Sequence, residues 1–413
     1  MIPSDTRTRT LTRRALLGQA AFGGAAFIAA PAWSNAINLP FQNGGREITG
    51  AFPQKGEMIL QRTRAPLLET PWTIFDKDVF TPNDRFYVRW HWTGIPETVD
   101  INTFRLRVHG NVERELAFSL SELMHKLPRV DLAAVNQCSG NSRGLFSPRV
   151  PGAQWGNGAM GNATWSGFRL KDLLDLAGVK AGSVQVRFAG LDEPTVEDAP
   201  PFRKSLAIDH ARDGEVMVAY AMNGQALPFL NGFPLRLVVP GWYATYWMKM
   251  LTDIEVLDKP DENFWTKKAY LIPDTPHANI SPGTKDVKMI PINRMVPRSF
   301  VTNFSSGARI KASAPHEVRG IAFGGDCGVA KVETSIDGGA NWQPAELGPD
   351  QGKYGFRRWT AKFTSPGDGQ RLSLMARCTN ANGLAQPDKP NWNSSGFMRN
   401  VIETIDLVTF EEG

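Results

Sequence analysis

The spacing of apolar and polar positions divides the chain into two regions of different texture. In the first, strands and helices mix. Phe104, Leu106 and Val108 alternate with polar residues, as in a half-buried strand. Ser119, followed three positions later by Glu122, makes a capping-box pattern ahead of Leu123 and Leu127 and predicts a helix start. Phe168 to Ala177 reads as a second helix, with Gly178 placed to end it. Val184 to Phe188, Val216 to Met222 and Leu235 to Val239 read as strands, and Asn223-Gly224 supplies turn chemistry after the second of them. Beyond about Pro282 the helical spacing stops. Ala330 to Ile336 alternates, Asp337-Gly338-Gly339 turns the chain, and Trp359 to Phe363 and Leu372 to Cys378 continue as short strands. That rhythm predicts an immunoglobulin-like β-sandwich. The expected class is α+β, with one domain over residues 81–283 and the sandwich over 284–413. Residues 37–80 are polar and aperiodic and are expected to form an extended surface arm.

The first 36 residues read as an address. Arg13-Arg14 precedes a weakly apolar run to Ala32, with small residues before Ala36, the pattern of a twin-arginine export signal. Gly18, Gln19, Gly23 and Gly24 leave the run too weakly apolar to span a bilayer well, so no stable membrane insertion is expected. The expected location is the periplasm. Twin-arginine export carries folded proteins, which suits a chain that acquires a cofactor before it leaves the cytoplasm.

Composition changes this picture in two places. At 413 residues the chain is longer than one core usually organises. The net charge of +5 is scattered, which favours anionic substrates slightly and gives no nucleic-acid patch. Only Cys138, Cys327 and Cys378 occur, so a disulfide scaffold and any four-cysteine cluster are excluded. No Cys-x-x-Cys-His is present, so no haem of the c type is expected on this chain.

The candidate chemistry centres on Asn136-Gln137-Cys138-Ser139-Gly140-Asn141-Ser142-Arg143. A cysteine in a small polar loop is expected to be exposed, and Arg143 is placed to hold it as thiolate. Alone, that loop could supply a nucleophile, a metal ligand or neither. Around it stand Phe86-Tyr87-Val88-Arg89-Trp90-His91, Trp155-Gly156-Asn157-Gly158, Gly232-Phe233-Pro234-Leu235-Arg236 and Val239-Pro240-Gly241. Asn391-Trp392-Asn393 and Gly396-Phe397-Met398-Arg399-Asn400 close the chain. Together these resemble the sulfite oxidase family of molybdenum enzymes, over about residues 55 to 410. The resemblance implies a sulfite oxidase-type molybdopterin domain followed by an immunoglobulin-like dimerisation domain. It is closest to the periplasmic sulfite dehydrogenases of bacteria.

The resemblance also implies roles. Cys138 would be the one protein ligand to molybdenum, which suits a soft thiolate. Arg89 falls on the substrate-site arginine, Tyr270 on the active-site tyrosine and Arg143 on a further arginine near the metal. Guanidinium groups suit a small oxyanion such as sulfite, and a tyrosine hydroxyl can bond its oxygens or relay a proton. Tyr87, Val88, Arg89, His91, Asp192, Arg236, Trp247, Met248 and Lys249 match positions that hold the pterin and its phosphate. Three positions depart from the animal members: Asn231 in place of a histidine, and Tyr246 and Ser395 in place of arginines. The pocket is expected to be less cationic for it.

The reading that follows is a sulfite dehydrogenase with one molybdenum–molybdopterin group per chain. Electrons would leave to a separate c-type cytochrome, with a homodimer or a heteromer with a cytochrome subunit as the assembly. A sulfane-sulfur dehydrogenase and a molybdenum-dependent sulfoxide reductase are the alternatives within the class, and a metal-free exported scaffold the one outside it. Cys327 and Cys378 are placed on or beside core strands of the sandwich, where an oxidising compartment permits a disulfide if the geometry allows.

Overall fold

The computed structural model describes residues 36–38 and 45–411; the export-signal reading of the N-terminus falls, but for Ala36, outside the described residues. Three sheets surround the candidate chemistry. One joins Ala36–Asn38, Gly45–Thr49, Met58–Arg62, Leu67–Glu69 and Val88–Arg89 in chain order, each pair antiparallel. A second is ordered Arg203–Ala207, Gln185–Gly190, Leu251–Leu257, Leu106–Gly110, Leu116–Phe118, and its one parallel pair is Leu251–Leu257 with Leu106–Gly110. The third sets Val130–Gln137 against Met160–Arg169, which pairs in turn with Met217–Met222. Strand makes up 37% of the protein and helix 11%, so the class is α+β with short helices between dominant sheets.

The local signals work as the residue chemistry requires. Ser119 caps the helix Leu120–Lys126 and both capping-box bonds form. Asn223 and Gly224 both take positive φ, the geometry of a tight hairpin turn. The helix expected from Phe168 begins instead at Leu170, because Phe168 and Arg169 still pair with Val218 and Met217 in the third sheet. Gly178 ends it in the left-handed conformation, as expected.

The expected surface arm is a correction. Residues 45–80 carry three strands and the helical turn Ile74–Lys77, and they bury Met58, Leu68, Phe75 and Glu69. A two-residue period was missing because both faces of Leu67–Glu69 are buried.

Beyond residue 290, a four-stranded sheet (Arg298–Val301, Pro315–Phe323, Arg357–Thr364, Glu346–Leu347) faces a five-stranded one built around Thr404–Phe410 and Arg371–Asn380. Val318 and Trp359 from the first pack with Val332, Leu374 and Leu407 from the second, which makes the expected β-sandwich. The main core does not stop at the expected boundary. Ile292, Phe300, Phe323 and Phe356 belong to the same apolar cluster as Phe75 and Trp155, and Val135 donates its N–H to Tyr354 at 2.8 Å. Cys327 and Cys378 are buried free thiols in this region. Among the described residues no helix is long and apolar enough to cross a membrane.

Candidate active site

The strand Val130–Gln137 is buried over its last four residues and delivers Cys138 to the wall of a cavity. Tyr87, Arg89 and His91 enter from the edge strand Val88–Arg89 and its flanks, Arg236 from Arg236–Val238, and Trp247 and Lys249 from the segment after it. Tyr270, Ser139, Phe202, Asn231 and Thr245 complete much of the wall. Residues distant in sequence thus converge because the edges of two sheets meet here.

Cys138 is 9% exposed, not the solvent-facing loop residue the sequence suggested. Its loop is small and polar because its backbone is used internally. The Cys138 N–H donates to Ala159 O at 2.9 Å and the Asn141 N–H to Cys138 O at 3.0 Å. Arg143 lies beside the cavity, donating to Ala153 O at 3.2 Å and Ser395 O at 3.3 Å, with its guanidinium 5.1 Å from the Phe397 ring. A Cβ on Gly140 would stand 2.4 Å from Arg143 Nη2, so only glycine leaves room for that cation.

Arg236 is held between two indoles, 5.3 Å from the Trp165 ring and 5.8 Å from that of Trp247. It donates to Asn231 O at 2.9 Å and to Asn136 Oδ1, which also accepts from Tyr87 Oη at 2.7 Å. Lys249 stands 4.3 Å over the Trp90 ring. Burial, then Arg236, pulls Lys249 down to about 7, and burial alone pulls Arg236 down to about 10. Asp192 is the carboxyl that faces them; burial raises it and Lys249 draws it back.

Tyr270 Oη and His91 Nε2 are 2.5 Å apart. Burial holds His91 well below the usual histidine range, with Arg89 and Lys249 adding to the effect, so the ring is neutral. Burial also raises Tyr270, so the phenol keeps its proton.

Of the residues expected in the pocket, Val88 and Met248 turn into apolar cores rather than the cavity. Met248 O accepts the Leu237 N–H at 2.8 Å, which ties its segment to the strand that carries Arg236. Asp192 and Arg143 act on the cavity from beside it. Sequence reasoning missed Lys55, Asn136, Lys204 and Phe202. Lys55 Nζ donates to Phe86 O, Asn83 O and the Asn231 amide oxygen, and burial pulls it down to about 7. Asn231 in turn donates to Tyr87 O at 3.1 Å. Lys204 is fully buried, 4.6 Å from the Tyr246 ring and 5.7 Å from that of Tyr270. Lys55 and Lys204 stand behind the cavity wall rather than on it, and Arg89, Arg236 and Lys249 are the cations that line it. Lys55 lay in a segment with no periodicity to announce it. Asn136 was visible in the cysteine motif and could have been found there.

Within these walls, among the described residues, Arg89 Nη1, Arg236 Nε, His91 Nδ1 and Ser139 Oγ are buried and have no hydrogen-bond partner. Such atoms are costly unless a ligand satisfies them. Buried cations with unused donors fit an anionic group that carries phosphate, and a thiolate beside them fits a soft metal.

Comparison with known proteins agrees with that chemistry. Residues 92–265 match the oxidoreductase molybdopterin binding domain, and residues 290–408 match the Mo-co oxidoreductase dimerisation domain. Fold and site together define an oxidoreductase that uses the molybdenum–molybdopterin cofactor. The chain is 32% identical to sulfite oxidase of Gallus gallus over 80% of this chain and 73% of that protein. It is 33% identical to mitochondrial sulfite oxidase of Mus musculus over 82% of this chain and 63% of that one, so it spans a little under two thirds of that relative. The crystal structure of the sulfane dehydrogenase SoxCD from Paracoccus pantotrophus superimposes with a TM-score of 0.71 at 24% identity, over 93% of this chain and 92% of that one, which shows a shared fold. The chain belongs to the sulfite oxidase family.

Proposed function

We propose that this protein oxidises sulfite to sulfate in the periplasm and passes the electrons, one at a time, to a separate c-type cytochrome. The observation that carries the reading is Arg89: its Nη1 is buried without a partner, and the side chain lines the same cavity as Cys138 and Tyr270. A guanidinium in that state is a ready site for a small oxyanion. Cys138 would hold the metal, and Arg236 and Lys249 the phosphate end of the pterin. Bound there, the molybdenum group supplies the two-electron redox chemistry.

The remaining steps belong to the protein. Sulfite and water give sulfate, two protons and two electrons, so the site must handle protons as well as charge. Tyr270 Oη and the neutral His91 Nε2 hold one proton between them at the cavity wall, placed for relay. Arg89 fixes the anion, Arg236 and Arg143 keep the surrounding field positive, and a bound anion favours the charged forms of Lys249 and Lys204. The likeness of residues 290–408 to a dimerisation domain supports a homodimer, or a heteromer with a cytochrome subunit.

Initial rates with sulfite, thiosulfate, nitrate and methionine sulfoxide test the reading. Sulfite is expected to be the best electron donor of the panel. Oxidation of thiosulfate without sulfite would move the reading to sulfane sulfur, and reduction of the sulfoxide or nitrate would reverse the direction of the chemistry.

A further inference from the structure

Glu69 is a carboxylate at 2% exposure, at the end of the strand Leu67–Glu69, and no role has fallen to it so far. Its Oε1 accepts the Gly158 N–H at 2.9 Å; its Oε2 accepts the Gly156 N–H at 3.1 Å and Gln61 Nε2 at 2.7 Å. Burial works against its charge, and these three donors, with the charge of Arg46 as a smaller contribution, offset that cost. The fit is steric as well. A Cβ on Gly156 would lie 2.7 Å from Glu69 Oε1, and one on Gly158 only 2.1 Å from Thr70 O.

The segment that Glu69 holds is the one that holds the cysteine loop. Trp155 O accepts from Gly144 N at 3.0 Å, and Gly156 O accepts from Ser142 N at 2.7 Å. Asn157 Oδ1 accepts from Ser142 Oγ at 2.6 Å, and Ala159 N donates to Asn141 Oδ1 at 3.0 Å. Ala159 O accepts the N–H of Cys138 itself. Residues 155–159 are thus a single layer, bonded to Glu69 on one side and to 138–144 on the other.

We infer that Glu69 is the positioning residue of Cys138: its carboxylate fixes residues 155–159 and, through them, the direction in which the thiolate is presented to the metal. The inference rests on Cys138 being the metal ligand. It gives the N-terminal strands a part in the active site that their sequence did not announce.

Glu69→Gln is the sharp variant. It keeps the shape but turns an NH2 toward backbone N–H groups, setting donor against donor. In the full-length chain purified without cofactor, iodoacetamide alkylation of Cys138, followed by peptide mass mapping, is expected to run about ten-fold faster than in the wild type, as for the loss of one or two buried charged hydrogen bonds. Cys327 and Cys378 serve as internal controls and should keep their rates. In the metal-loaded enzyme the Mo(V) electron paramagnetic resonance signal should shift, and kcat should fall more than KM rises. Glu69→Asp should restore part of each. An unchanged Cys138 rate overturns the inference, and so does an equal acceleration of all three cysteines, which would mean general loosening. If Glu69→Gln does not fold, Gln61→Leu removes one donor at a half-buried site and should raise the Cys138 rate alone by a few-fold; no change there also overturns it. Cofactor loading of the wild type should protect Cys138 from alkylation. Failure of that protection would remove the ligand reading, while the cofactor-free rates still decide the role of Glu69.

Discussion

Arg89 is where anion chemistry is tested one residue at a time. Replacing it with Gln removes the charge and the guanidinium fork but keeps some hydrogen bonding. A charged hydrogen bond contributes about 1.5–3 kcal/mol, so apparent affinity for sulfite should fall roughly ten- to over a hundred-fold, with molybdenum content near wild type. Arg89→Lys should recover only part, since an ammonium lacks the bidentate geometry. Steady-state kinetics beside metal analysis check this, and an unchanged KM and turnover in the Gln variant would remove Arg89 from the substrate site. The buried lysines make a second prediction. Burial pulls Lys55, Lys204 and Lys249 each down to about 7. Between there and the ordinary lysine range, the unfolded chain holds protons that the folded, cofactor-free chain has released. Stability of that form therefore rises with pH across this window and is lost as pH falls toward 7. An anionic cofactor pushes Lys249 back up, so the loaded protein should take up protons and show a smaller gain. Melting temperatures of both forms from about pH 7 to about pH 9 measure the difference, and equal slopes would contradict it.

At the scale of elements, the cysteine loop is held by its backbone, and that makes Cys138 separable from the fold. Cys138→Ser should abolish turnover while the circular dichroism spectrum and dimer content stay as in the wild type; sulfite oxidation near the wild-type rate would contradict the assignment. Much of this was legible. The capping box at Ser119, the Asn223-Gly224 turn and the strand expected from Ala330 each depend on neighbours a few residues apart, and each appears, the strand as Val329–Ser335 with an irregularity at Ala330. The Tyr87, Arg89, His91 and Cys138 set was legible only through motif resemblance, because nothing local to Arg89 or His91 announces a cavity. What failed depended on contacts across the chain. Lys55 meets Asn231 176 positions away, and Glu69 meets Gly156 and Gly158 across more than 80. Residues 45–80 looked like a surface arm because Leu67–Glu69, buried on both faces, has no two-residue period, and Gly45–Thr49 and Met58–Arg62 are only partly covered. Phe168 and Arg169 looked helical because strand and helix join there without a break in apolar character.

Across the protein as one body, Phe300, Phe323 and Phe356 of the C-terminal region join the apolar cluster of the catalytic region, beside the sandwich's own core, so the C-terminal region is expected to support the site as well as assembly. The protein should sediment as a dimer at micromolar concentration through residues after about 285. A monomer under those conditions would count against the match of residues 290–408 to a dimerisation domain being functional here. On the proposed function, the cationic cavity around Cys138 loads molybdenum and takes two electrons from sulfite. Its most direct test is an anaerobic titration of purified, metal-loaded protein with sulfite, using oxidised cytochrome c as acceptor and molybdenum measured on the same sample. One molybdenum per chain, two cytochromes reduced per sulfite consumed, and sulfate as product are expected. Full molybdenum loading with no cytochrome reduction by sulfite, while another sulfur compound reduces it, would exclude sulfite as the substrate.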